Sequence, residues 1–85
     1  MKAYHVTDEV GYMGIMADGC IKPCRLKNVY LFRDKADAEN YLVEFGKTHI
    51  IEVEITSSQI ASQWKPSYAK HGVIKLKEGE IVRYG

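Results

Sequence analysis

Three stretches of this chain are predicted to be strands: the first and the third alternate between hydrophobic and polar positions with a period of two, and the second is a short, mostly apolar run. The first covers residues 2–6 and the second residues 28–32. The third, residues 48–55, has the clearest pattern, because three aliphatic side chains point one way and two glutamates point the other. The aliphatic residues are Ile51, Val53 and Ile55, and the glutamates are Glu52 and Glu54.

A first helix is predicted from hydrophobic positions spaced three and four residues apart after the first strand. Thr7 or Asp8 can cap its N-terminus, and Gly19 is suited to the left-handed position just beyond its end. This spacing is typical of the buried side of a helix. The residues that follow it are Val10, Met13, Gly14 and Ala17.

A second helix is predicted after the second strand. Asp34 is a good N-cap, and Asp37 three residues later completes an acidic variant of the capping box. Gly46 terminates the helix. Its apolar stripe consists of Ala38, Tyr41, Leu42 and Phe45.

Weaker signals divide the rest of the chain. Residues 19–23 are predicted to form an edge segment ending in a turn, because Pro23 cannot donate a ladder hydrogen bond. Ser57 or Ser58 can cap a single helical turn that runs to Ile60.

The last third of the chain is predicted to be mostly β. Residues 64–70 are irregular, whereas residues 73–76 and 81–84 are predicted to pair as a C-terminal β-hairpin, with Gly79 supplying a positive φ. Together the elements predict an α+β fold with a small mixed or antiparallel sheet and two helices. Residues 1–85 are expected to form a single domain.

Composition is that of a globular protein, with 46% hydrophobic and 27% charged residues among 85. No apolar run approaches the roughly 18 residues of a membrane span, and the first residues do not resemble a signal peptide. We therefore expect a cytoplasmic protein without a membrane partner. Five basic residues and two acidic ones follow Trp64, so the C-terminal segment is basic although the whole chain carries only +1.

The two cysteines, Cys20 and Cys24, are separated by three residues and have no second pair. A zinc site needs about four ligands, and the histidines are scattered, so no metal is expected. Reduced structural cysteines are the favoured interpretation for a cytosolic protein, with a disulfide between them as the alternative.

The order of elements and two motifs resemble a miniature ADP-ribosyltransferase-like fold of the His-Tyr-Glu type, as in small bacterial and phage proteins. The motifs are Tyr4-His5-Val6-Thr7 on the first strand and Val29-Tyr30-Leu31-Phe32 on the second. The resemblance covers residues 1–64. It implies a transferase-like core and a site for NAD, which is the substrate of that family.

By position, His5 matches the histidine that binds ribose in the family, and Thr7 supports it. Main-chain groups around Val6 are expected to meet the nicotinamide amide. Tyr30 offers a flat face to the positively charged nicotinamide ring. The resemblance therefore implies NAD-binding roles for these four residues.

The family's third motif, a catalytic glutamate, has no match by element order, because this chain has Ala69-Lys70-His71-Gly72 there. Glu54 is the substitute that completes a catalytic set with His5 and Tyr30. Glu52 and His71 are alternatives to it.

Two functions follow. The first is a non-catalytic or catalytically reduced ADP-ribosyltransferase-like binding module, for example a phage or prophage protein that inhibits a host protein. The alternative is a minimal NAD-dependent ADP-ribosyltransferase that modifies a protein or nucleic acid. A protein partner is expected, with nucleic acid as the alternative through the basic C-terminal segment. The predicted partner contacts are Lys65, Tyr68, Lys70, Lys75, Lys77 and Arg83.

Overall fold

The computed structural model describes residues 1–23 and 27–84, which hold two α-helices and seven strands. Every strand pairing within these ranges is antiparallel. The fold is therefore α+β, as predicted. In chain order the elements are β1 (Lys2–Thr7), α1 (Glu9–Asp18), β2 (Cys20–Ile21), β3 (Tyr30–Phe32), α2 (Lys35–Glu44), β4 (His49–Glu54), β5 (Ile60–Trp64), β6 (Val73–Leu76) and β7 (Val82–Arg83).

Five strands form the main sheet in the order β4-β1-β3-β6-β5, and β2 and β7 form a separate two-stranded ribbon. The register places His5 opposite Ile51 and Tyr4 opposite Phe32. Because side chains alternate along a strand, His5 shares one face of the sheet with Ile51, whereas Tyr4 shares the other with Phe32.

Each face of the sheet has its own hydrophobic core. On one face, α1 and the β2–β7 ribbon cover a cluster that includes Leu31, Ile51 and Ile74. On the other face, α2 and the loop after β5 cover a smaller cluster around Phe32 and Ala38. We call these the α1 side and the α2 side of the sheet.

The predicted helix caps are confirmed. The Asp8 carboxylate accepts a hydrogen bond from the Gly11 N–H at 2.8 Å, and Gly19 ends α1 with a φ of 71°. The Asp34 carboxylate likewise caps α2 by accepting from the Ala36 N–H at 2.8 Å.

The capping-box role predicted for Asp37 is wrong. This side chain is only 1% exposed, and its two carboxylate oxygens accept the main-chain N–H groups of Lys70 and His71 at 3.0 and 2.7 Å. Asp37 therefore points away from the N-terminus of α2 and fastens the β5–β6 loop to the helix.

The predicted buried side of α1 is also wrong. Val10 is 81% and Met13 63% exposed, and Gly14 and Ala17 are exposed as well. The packed side instead carries Ile15, Tyr12 and Met16. The reason is that α1 is apolar around most of its circumference, so contacts with the sheet select the buried side.

The predicted C-terminal hairpin does not form. Both ladder positions of β6 are occupied, by β3 and by β5, whereas β7 pairs with β2. Val82 faces Ile21 in that ribbon, and each is only 2% exposed. Gly79 does adopt the predicted positive φ, 76°, but its turn sends the chain across the α1 side of the sheet.

A strand was missed in the prediction. Residues 60–64 form β5, an edge strand with a bulge between Ile60 and Ser62. The turn before β5 is a single 3₁₀ turn at Ser57–Gln59, and Thr56, rather than a serine, is its N-cap. The irregular segment therefore begins only after Trp64.

Candidate functional site

His5 lies on the α1 side of β1, half-buried. Its Nδ1 is 3.2 Å from the main-chain carbonyl oxygen of Tyr30. A carbonyl can only accept, so Nδ1 carries the proton and donates. Burial lowers the pKa of His5 below its ordinary value, and the hydrogen bond to Tyr30 opposes that shift without reversing it. Burial therefore favours the neutral imidazole, with its proton on Nδ1.

Tyr30 is a neighbour of His5, but its ring lies on the other face of the sheet. The ring packs in the α2-side cluster, and it meets the Trp64 ring edge-to-face with centroids 6.1 Å apart. The structure therefore joins His5 to the backbone of Tyr30, and it separates the two rings by the thickness of the sheet.

Glu54, the substitute for the catalytic carboxylate, lies at the far end of β4. It faces Lys2 across the ladder, and its carboxylate is 3.2 Å from the N-terminal ammonium of Met1. His5 instead faces Ile51, three residues away along β4. Glu54 is exposed and belongs to an ion pair at the sheet edge.

The other residues predicted to bind NAD are divided between the two faces. Val6 packs in the α2-side cluster and faces Ile50 in the ladder. Thr7 is on the α1 side with His5, and its hydroxyl lies directly under Gly11 of α1. Of the four predicted residues, His5 and Thr7 thus lie on the α1 side, whereas Val6 and Tyr30 lie on the α2 side.

A polar cluster that sequence reasoning missed lies beside Thr7. The His49 imidazole faces Thr7 across the ladder and stacks on the Tyr12 ring, with centroids 3.9 Å apart and planes at 11°. His49 Nε2 is 3.5 Å from a Glu9 carboxylate oxygen, and its Nδ1 is 2.8 Å from the Thr48 hydroxyl. We call Glu9, Tyr12 and His49 the His49 cluster. The only sequence signal for it was an aromatic one helical turn after the cap of α1.

The predicted partner contacts divide into two groups. Lys65, Tyr68 and Lys70 lie in the loop after β5, and Lys75 and Lys77 lie on or just after β6. Arg83 belongs to the β2–β7 ribbon, and at the β4 edge of the sheet it lines a shallow groove of about 450 Å³ with Glu52 and Glu54. The basic residues therefore do not form one continuous surface.

Tyr30 and Lys75 occupy a part of the α2 side that α2 leaves open, because the helix packs mainly over β1 and less over β4 and β3. The ladder places Lys75 between Tyr30 and Ser62, and places Trp64 next to Val73. Lys77 continues the same side of β6, since its N–H still bonds the Gln59 carbonyl at 2.9 Å. We call Tyr30, Trp64, Lys75 and Lys77 the aromatic–lysine face.

In the ranges 1–23 and 27–84, no three His, Cys, Asp or Glu side chains come together as metal ligands. None of the helices described there has the length and apolarity to cross a membrane. Cys20 is half-buried in β2 opposite Arg83, whereas Cys24 lies outside the described residues, so the pairing of the cysteines stays a prediction.

Comparison of the chain with protein-family models, with curated proteins and with solved structures gives no match.

Proposed function

We propose that this protein is a non-catalytic binding module, built on a scaffold that resembles the ADP-ribosyltransferase-like fold, and that it takes a protein partner on the outer face of α1. The outer face of α1 consists of Val10, Met13, Gly14 and Ala17. The observation that carries the proposal is that these four residues are exposed and uncharged on one side of a helix. Inhibition of a host protein is one task that such a module would serve.

The chemistry of the outer face suits a protein partner. Covering an exposed valine or methionine side chain contributes about 1.5–3 kcal/mol when it is fully buried. A Cβ at Gly14 would meet no atom within 4 Å, so a partner can approach the backbone of α1 closely at this point. The ion pair between Asp18 and Lys22, at 3.3 Å, lies at the C-terminal end of the helix and provides a polar rim. This pattern, an apolar centre with charged residues at its margin, is typical of protein interfaces.

The placement of the predicted catalytic residues supports a non-catalytic role. The rings of His5 and Tyr30 lie on opposite faces of the sheet, and the Glu54 carboxylate pairs with the N-terminal ammonium. A transferase needs these groups to converge on one NAD molecule, since catalysis depends on groups held where charge develops.

The test is capture of a binding partner by the wild type and by Val10→Glu and Met13→Glu variants. Val43→Glu is the matched control, because Val43 on α2 is 78% exposed, close to the 81% of Val10. We expect the wild type and Val43→Glu to retain the same partner, and the two α1 variants to lose it. A partner retained equally by all four proteins would contradict the proposal.

The second candidate function is NAD-dependent ADP-ribosyl transfer. One observation favours it: His5 and Thr7 share the α1 side of β1, beside the stacked rings of Tyr12 and His49. In that arrangement, Tyr12 would provide the flat face that the sequence assigned to Tyr30.

Calorimetry with NAD decides between these functions. Saturable binding by the wild type that is lost in His5→Ala would favour the transferase. Comparison of NAD binding by Tyr12→Ala and by Tyr30→Ala would then identify the residue that stacks on nicotinamide. A wild type that binds no NAD would leave the binding module as the function to pursue.

A further inference from the structure

The aromatic–lysine face is distinct from the outer face of α1, and its chemistry differs. Tyr30 is half-buried and Trp64 is 40% exposed, so each ring leaves part of its surface open. The two rings meet at 87°, and Lys75 lies between their strands. Planar rings and ammonium groups thus lie together on a part of the sheet that α2 does not cover.

Charge is distributed unevenly over this side of the sheet. The strands β3, β5 and β6 have no acidic residue in Tyr30–Phe32, Ile60–Trp64 or Val73–Leu76. The acidic residues that the sheet itself presents on the α2 side, Glu52 and Glu54, are on β4 at the opposite edge, and Glu78 and Glu80 lie in the turn after Lys77. The aromatic–lysine face is therefore locally cationic although the whole chain is nearly neutral.

We propose that the aromatic–lysine face binds a short stretch of single-stranded nucleic acid. Each nucleotide offers a planar base and an anionic phosphate. Bases stack on aromatic side chains regardless of sequence, and lysines along the strand neutralise the phosphates. Tyr30 and Trp64 would take the bases, while Lys75 and Lys77 contact the phosphates. The exposed Ser62 hydroxyl, level with Tyr30 and Lys75 in the ladder, is available to a base edge.

An acidic protein segment is the competing occupant. It would pair with Lys75 and Lys77 equally well, but it would make no use of the partly exposed rings of Tyr30 and Trp64. Duplex nucleic acid fits less well, because its bases are stacked on each other and cannot reach Tyr30 and Trp64. The combination of rings and ammonium groups therefore favours a single strand.

The chain carries its own reporter for this site, because Trp64 is its single tryptophan. The experiment is titration of the whole protein with a twelve-residue oligothymidylate at low salt, monitored by Trp64 fluorescence. We expect saturable quenching of that fluorescence. With two phosphate contacts, the logarithm of the binding constant should fall with the logarithm of salt concentration with a slope of roughly −1.4.

Three variants separate the contributions. Tyr30→Leu keeps an apolar side chain but removes the stacking surface, and it should weaken binding by about 10-fold, within the range for loss of one stacked base. The double variant Lys75→Glu, Lys77→Glu should abolish the dependence of the binding constant on salt concentration. Lys35→Glu is the matched charge control, because Lys35 is exposed in the first turn of α2, outside the aromatic–lysine face; it should bind like the wild type.

Two outcomes would overturn the proposal. One is unchanged Trp64 fluorescence at a large excess of oligothymidylate. The other is equal binding of poly-glutamate and oligothymidylate with no effect of Tyr30→Leu, which would make this face a cationic patch for acidic proteins. Neither outcome bears on the outer face of α1, so the proposed protein-binding function stands or falls separately.

Discussion

His5 Nδ1 donates a hydrogen bond to the Tyr30 main-chain carbonyl at 3.2 Å, while the rings of these two residues lie on opposite faces of the sheet. The bond connects a side chain of β1 to the backbone of β3, its neighbour in the sheet. A histidine in this position stabilises the pairing of two central strands, whether or not it also meets a ligand.

The protein should become less stable as the pH falls below about 6.5, the ordinary pKa of histidine, because burial lowers the pKa of His5 in the folded state. The unfolded chain then takes up a proton before the folded chain does. His5→Asn keeps an N–H donor but removes the group that titrates. The loss of stability at low pH that arises from His5 should therefore disappear in this variant. Urea unfolding between pH 7.5 and pH 5 measures it.

The exposed His71 provides the control. His71→Asn should keep the wild-type dependence of the unfolding free energy on pH. A His5→Asn protein whose stability falls as steeply as that of the wild type would show that the loss arises elsewhere.

Replacement by alanine should have opposite effects on protein stability at the two glycines inside α1. Gly14→Ala has open space and should gain up to about 1 kcal/mol from helix propensity. A methyl group at Gly11 would overlap the Thr7 hydroxyl and lie 3.3 Å from the Asp8 cap. Gly11→Ala should therefore be less stable than Gly14→Ala by at least about 1 kcal/mol. Thermal unfolding of both variants gives the comparison.

A double variant tests the cause. Thr7→Ala removes the overlapping hydroxyl, so adding Gly11→Ala in that background should be neutral or stabilising. If Gly11→Ala is equally harmful with and without Thr7, the close approach of α1 to β1 is not the reason.

Replacement of Asp37 by alanine should cost about 2–4 kcal/mol, because two main-chain N–H groups lose their acceptor and each unsatisfied donor costs about 1–3 kcal/mol. Asp34→Ala is the comparison within the same helix, and loss of that single cap should cost only about 1 kcal/mol. Chemical denaturation measures both values. Amide exchange at Lys70 and His71 should accelerate in Asp37→Ala alone, and unchanged exchange would contradict the assigned role.

Local chemistry was enough to predict both helices and their caps. Asp8 and Asp34 each accept a hydrogen bond from an N–H two or three residues ahead, and Gly19 provides the left-handed residue after α1. Such features depend on neighbours in sequence, so they can be read without the fold. The alternation in β4 was equally informative, since Ile51 and Val53 are buried while Glu52 is exposed.

Long-range contacts determine what the prediction missed. The buried side of α1 depends on Tyr12 stacking against His49, 37 residues later. The partner of β7 depends on the packing of Val82 and Ile21 over the same core. Neither contact leaves a periodic signal in the sequence. Each depends on which apolar surface the rest of the fold covers.

The positions of the candidate site residues likewise depend on a contact that the sequence pattern does not specify. Proximity of His5 and Tyr30 was predicted from the order of elements, and the hydrogen bond between them is consistent with it. Whether their rings share a face of the sheet depends on the register between β1 and β3. Tyr4 faces Phe32 in this register, so Tyr30, two residues before Phe32, lies on the same face as Tyr4 and on the opposite face from His5. A shift of one residue would have put both rings together, and the strand patterns do not distinguish these registers.

The attachment of the β5–β6 loop to Asp37 has a consequence for proteolysis. Lys70 is exposed and would ordinarily be a trypsin site, but the N–H groups on both sides of its carbonyl, those of Lys70 and His71, are bound by one buried carboxylate. A protease must bind this segment as an extended strand, which requires both bonds to break. Cleavage after Lys70 therefore reports how often the loop leaves the helix.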